Sequence, residues 1–101
     1  MRSIINILDL SAGEIDQLIA VADDIMAQPE KYNDVCRHKI LATLFFEPST
    51  RTRLSFESAM LSLGGQVIGF SGADSSSAAK GETIADTIEV VNGYADIIAM
   101  R

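Results

Sequence analysis

The stretch Ile40–Phe56, "ILATLFFEPSTRTRLSF", decides the fold. Ile40 to Phe46 is apolar at both odd and even positions, broken only by Thr43. A strand with one wet face alternates, so this pattern predicts a strand buried on both faces, as in parallel sheets covered by helices. Residues 47–50 read as a turn. Arg51 to Leu63 then reads as a helix, with Leu54, Met60, Leu61 and Leu63 available for packing. Gly64-Gly65 ends it, because glycine tolerates the left-handed conformation after a helix.

Working outward toward the N-terminus, Ser11-Ala12-Gly13-Glu14 has the form of a capping box. Ile15, Leu18, Ile19, Ala22, Ile25 and Met26 follow at helical spacing and form one apolar stripe. Pro29 marks the end of that helix, and residues 30–38, "EKYNDVCRH", read as a polar connector. Downstream, Gln66–Phe70, "QVIGF", predicts a second strand. Ser71–Glu82, "SGADSSSAAKGE", is small and polar and reads as a mobile loop. A helix is expected from about Thr83 to Tyr94, with Ile84, Thr87, Ile88 and Val91 on one face. Asp96–Met100, "DIIAM", predicts a third strand.

The order is therefore a helix followed by βαβαβ. It implies an α/β fold with a parallel sheet and right-handed crossovers, part of a three-layer α/β/α domain. A three-stranded parallel sheet leaves edge strands with unpaired backbone groups. The expectation is that residues 1–101 are the front portion of a longer protein.

Composition narrows the partners. The chain has 101 residues and a net charge of −6, with 8 basic side chains. One domain at most fits that length. An acidic chain lacks the basic face that nucleic acid requires. No apolar run is long enough to span a bilayer, and no secretory signal opens the sequence. Cys36 is the only cysteine, so a reducing cytoplasm is the simplest reading. His38 and Cys36 find no further Cys or His to complete a metal site, and no metal is assigned. The glycine-rich nucleotide fingerprints are absent.

The chemistry concentrates where the strands end. In open α/β sheets, ligands bind beyond the carboxyl ends of the strands. "EPSTRTR", the serine-rich loop and Arg101 all fall there, which brings Arg51, Arg53, Lys80 and Arg101 toward one edge. Ser49 and Thr50 stand at a helix start, where free backbone N–H groups and the dipole favour an anion. Arg51 adds a planar fork suited to phosphate oxygens. Two readings stay open: an anion site, or an ordinary cap with solvated arginines. Arg51 and Arg53 are two residues apart and point about 200° from each other on a helix, so one is expected to face a ligand and the other to support the helix or a neighbouring loop. Lys80 is either a functional residue or a loop lysine paired with Asp74 or Glu82.

With these residues in view, "FFEPSTRTRLSFESAMLSLGG" resembles the carbamoyl-phosphate-binding domain of the aspartate/ornithine carbamoyltransferase family. Ser49-Thr50-Arg51-Thr52-Arg53 is similar to that family's signature. "GFSGADSSSAAKGETIADTIEVVNGYADIIAMR" extends the resemblance over nearly the whole chain, and the lysine of "KGET" favours aspartate over ornithine as second substrate. The resemblance implies that Ser49, Thr50, Arg51 and Thr52 hold the phosphate of carbamoyl phosphate. It implies that Thr52 and Arg101 approach the carbamoyl oxygen, and that Arg53 and Glu47 are supporting residues, Glu47 helping to hold two domains together. It further implies a homotrimer in which Lys80 and Ser76 of one subunit reach the neighbour's site, with Ser75 or Ser77 as alternatives to Ser76. The implied reaction transfers carbamoyl to the amine of L-aspartate, giving N-carbamoyl-aspartate and phosphate, a step of pyrimidine biosynthesis. No cofactor is implied, and a regulatory chain is a further possible partner.

The family pattern continues beyond Arg101 with further site residues and an aspartate-binding domain, so the 101-residue chain alone is expected to be inactive. Two alternatives remain: an ornithine carbamoyltransferase, and a non-enzymatic anion-binding α/β module with no use for Lys80.

Overall fold

The computed structural model describes residues 2–72 and 81–101, which form two compact units, Met1–Tyr32 and Asn33–Arg101. In the first, α1 (Ala12–Ala27) starts at the expected capping box: the Glu14 N–H donates to Ser11 Oγ at 3.1 Å, and the Ser11 N–H donates to Glu14 at 3.0 Å. A second box precedes it, where Asn6 and Asp9 cap a short 3-10 turn, Ile7–Asp9. The connector after α1 opens with another 3-10 turn, Pro29–Lys31, in which Pro29 occupies the first position. There Asp24 gathers the Tyr32 hydroxyl, the Lys31 ammonium and the Gln28 amide. The apolar stripe is a helix face as expected, but only Ile15 and Ile25 of its members are half-buried; Leu18, Ile19, Ala22 and Met26 are exposed.

The second unit is built on β1 (Ile40–Phe45), α2 (Thr50–Ser62), β2 (Gln66–Ser71), α3 (Ile84–Asn92) and β3 (Ile97–Met100). All three strands are parallel, in the order β2-β1-β3. β1 is central, and Leu41 to Phe45 are all buried, as an apolar run on both parities demands. Leu44 and Phe45 are almost wholly enclosed; burial of such side chains contributes about 1.5–3 kcal/mol each. Thr43 is the one polar residue of the strand and is fully buried with the rest.

The connection from β1 runs to one neighbour, and the connection from β2 crosses back to the other. The carboxyl ends of β1 and β3 therefore lie side by side, which is where such sheets hold ligands. The ladder between them runs past the assigned strand ends: the Arg101 N–H donates to the Leu44 carbonyl at 3.1 Å, and the Phe46 N–H donates to the Arg101 carbonyl at 2.9 Å.

Gly64-Gly65 ends α2 as expected. Gly64 adopts φ +89°, its N–H donates to the Leu61 carbonyl, and the Gly65 N–H reaches the Met60 carbonyl at 3.0 Å. The helices bury only part of their apolar residues. Of the α2 residues, Met60 is buried and Leu63 is half-buried, whereas Leu54 and Leu61 are 55% and 58% exposed. On α3, Thr87 is buried and Ile88 and Val91 are half-buried, but Ile84 is exposed. Ser71 belongs to β2 rather than to the loop. Most of that loop, residues 73–80, lies outside the described residues, and with it Asp74, Ser76, Lys80 and the alternatives Ser75 and Ser77.

Candidate anion site at the carboxyl edge of the sheet

Arg101 follows β3, and its place in the ladder beside Phe46 aims its side chain across the turn after β1. Its Nε donates to Glu47 Oε1 at 2.9 Å, and its Nη1 donates to Ser49 Oγ at 2.7 Å. Glu47 precedes Pro48, which disfavours helical backbone at Glu47 and delays the helix. Phe46 and Phe70, just beyond β1 and near the end of β2, brace the same edge with an edge-to-face contact, ring centres 5.2 Å apart.

Ser49 holds the position of an N-cap, and its carbonyl accepts the first helical bond from the Arg53 N–H at 3.0 Å. Its hydroxyl does not cap the helix; it is turned to Arg101. Among the described residues nothing accepts the N–H groups of Thr50, Arg51 or Thr52. The start of α2 thus presents free donors at the positive end of its dipole, beside the Arg101 guanidinium. Arg51 is exposed in that first turn, and among the described residues its side chain has no partner. Thr52 is half-buried next to it. The plain capping reading accordingly fails for Ser49.

Arg53 behaves as its offset from Arg51 requires. It turns away from the edge and pairs with Glu57 along the helix at 2.9 Å. The same Glu57 oxygen accepts a bond from Thr43 Oγ1 at 2.8 Å. Glu57 and Thr43 were not among the expected site residues, although the four-residue spacing from Arg53 to Glu57 and a lone threonine in an apolar strand were both visible in the sequence. The Glu82 carboxylate accepts the Thr87 hydroxyl at 3.0 Å, while its expected partner Lys80 lies outside the described residues. His38 is exposed in a left-handed turn (φ 64°), and Cys36 is half-buried. Among the described residues no three His, Cys, Asp or Glu side chains come together as a metal site, and no helix is long and apolar enough to cross a membrane.

The strand order defines an α/β domain, and the convergence of a guanidinium with a helix start makes its carboxyl edge a candidate anion site. Residues 2–101 match the aspartate/ornithine carbamoyltransferase, carbamoyl-P binding domain, and the chain belongs to that family. It is 61% identical over 101 residues to the aspartate carbamoyltransferase catalytic subunit of Lachnoclostridium phytofermentans, covering 100% of this chain and 33% of that protein. Against the catalytic subunit of M. jannaschii aspartate transcarbamoylase it superposes with a TM-score of 0.89 at 47% identity, covering 100% of this chain and 34% of that one. Against the Trypanosoma cruzi enzyme in complex with carbamoyl phosphate and aspartate the TM-score is 0.89 at 37% identity, covering 99% and 33%. The chain spans about a third of the length of the relatives it matches.

Proposed function

We propose that residues 1–101 are the N-terminal part of the carbamoyl-phosphate-binding domain of an aspartate carbamoyltransferase, acting in the cytoplasm in pyrimidine biosynthesis. The observation that carries this reading is the bond between Arg101 and Ser49. Two residues 52 apart in sequence meet at a helix start whose N–H groups are free among the described residues.

In this mechanism the phosphate of carbamoyl phosphate sits on the N–H groups of α2, the hydroxyls of Ser49, Thr50 and Thr52, and the Arg51 guanidinium. The uncharged amine of L-aspartate attacks the carbamoyl carbon. Negative charge grows on the carbonyl oxygen, where Arg101 and Thr52 stabilise it. The carbon–oxygen bond to phosphate then breaks, and the departing phosphate accepts the amine proton. Glu47, which holds Arg101 in this structure, and Arg53 support the site. Lys80 and Ser76 reach the site of the neighbouring subunit in a homotrimer, with a regulatory chain as a further partner.

The test supplies the full-length polypeptide containing these residues with carbamoyl phosphate and either aspartate or ornithine. Aspartate is expected to be carbamoylated, and Arg51→Ala or Arg101→Ala to lower the rate by ~10²–10³. Carbamoylation of ornithine alone, or unchanged turnover in both variants, would overturn the proposal.

A further inference from the structure

We infer that Glu57, held between Thr43 and Arg53, is a positioning residue that sets the rotation of α2 and so aims the phosphate-binding end of the site. The inference rests on the proposed carbamoyl-phosphate reading and extends it to residues that touch no substrate. A single carboxylate oxygen of Glu57 accepts from Thr43 Oγ1 in the middle of the central strand and from Arg53 Nε one helical turn earlier. The Glu57 side chain is only 17% exposed, and Thr43 is fully buried.

The sheet makes room for this arrangement. Gly69 pairs with Thr43 across β1 and β2 at φ +149°, and a Cβ there would lie 2.4 Å from Thr43 Oγ1 and 2.1 Å from its carbonyl oxygen. Packing alone gives no reason for a hydroxyl at this point, since a valine would fill the same volume. Ionic groups placed where apolar ones would pack are weak evidence for stability; fixing one geometry over its neighbours is the better-attested use.

That geometry is the helix phase. Apolar contacts resist separation of a helix from a sheet more than they resist small rotations, whereas the Thr43 hydroxyl, bonded to a Glu57 carboxylate that Arg53 holds within the helix, ties one point of α2's circumference to the central strand. With Arg53 turned to Glu57, Arg51 lies about 200° away around the helix, in its first turn. A misplacement of about 1 Å in such a site costs up to ~10² in rate.

The test uses the full-length polypeptide and measures the Kd for inorganic phosphate by calorimetry, the KM for carbamoyl phosphate, and the Tm. Thr43→Val removes the donor at constant volume, Thr43→Ser keeps it, and Glu57→Gln removes the charge. Thr43→Val and Glu57→Gln are expected to raise the phosphate Kd and the KM about tenfold, while Thr43→Ser stays within about twofold. The Tm of Thr43→Val is expected to fall, because the Glu57 carboxylate loses one of its two donors, and Thr43→Ser is expected to restore it together with the affinity. Wild-type phosphate affinity in both Thr43→Val and Glu57→Gln, whatever their Tm, overturns the inference alone. A wild-type protein that binds no phosphate overturns the carbamoyl-phosphate reading and removes the inference with it.

Discussion

Two serines show what single residues reveal and conceal. Ser11 and Ser49 both precede helices, but only Ser11 has a glutamate three residues on to complete a capping box; Ser11 caps α1 while Ser49 accepts a bond from Arg101. What no local pattern recorded is the partner of Ser49, which arrives from the end of another strand. The two serines should therefore respond oppositely to alanine. Ser11→Ala removes a true cap and is expected to cost about 1 kcal/mol, read from faster hydrogen exchange of the α1 amides. Ser49→Ala is expected to cost under about 0.5 kcal/mol in urea unfolding, the range of ordinary surface changes. In the full-length protein it should still weaken carbamoyl phosphate binding. A large stability loss at Ser49 would mean that its hydroxyl caps the helix after all.

At the level of elements, β1 was the most legible, because burial on both faces writes an apolar residue at every position except Thr43. The faces of α1, α2 and α3 were less so. Periodicity identifies a helix and its apolar side, but it does not say what covers that side; Leu54, Leu61, Leu18 and Ile84 are exposed in the units described. Nor did the sequence announce that Gly69 is a strand position which only glycine can hold. Gly69→Ala would press a Cβ against the Thr43 carbonyl at a φ that side chains rarely adopt, and is expected to destabilise the sheet unit by about 1–3 kcal/mol in urea unfolding. The N-terminal unit makes a separate prediction. Backbone N–H groups of Ile5 and Asn6 hold the Asp9 carboxyl below its ordinary range, the Ser11 N–H and then Arg2 do so for Glu14, and the Tyr32 hydroxyl and then Lys31 do so for Asp24. Each of these groups has a lower pKa folded than unfolded. Their stabilisation is present above the usual carboxylate pKa of about 4 and disappears as pH falls through the lower folded values. Hydrogen exchange in Met1–Tyr32 should accelerate on acidification through that window, and Asp24→Asn should flatten part of the dependence. An exchange profile indifferent to pH there, after correction for intrinsic chemistry, would show these bonds to be unimportant.

For the whole molecule the question is how much of a catalyst 101 residues can be. Under the proposed reading, the described residues would supply one half of a site: free N–H groups at the start of α2, Arg51, and Arg101 already beside Ser49, placed for the phosphate and carbamoyl ends of one substrate. They offer no matching cluster of cations for the two carboxylates of aspartate. Arg2, Lys31 and Arg53 are each paired with an acidic side chain, and Arg37 lies 4.0 Å from Asp34. Much of the rate in a two-substrate transfer comes from holding both reactants in line, worth effective molarities as high as ~10⁵–10⁸ M when the geometry is right. Binding one reactant forfeits that term even where anion binding is intact. The pure 101-residue chain is therefore expected to bind phosphate, seen as NMR shifts centred on residues 49–54 and lost in Arg51→Ala, yet to form no N-carbamoyl-aspartate above the uncatalysed background. A product-forming activity that persists through purification and disappears with Arg51→Ala would show that this segment carries, alone or by self-association, an aspartate site that its described residues do not suggest.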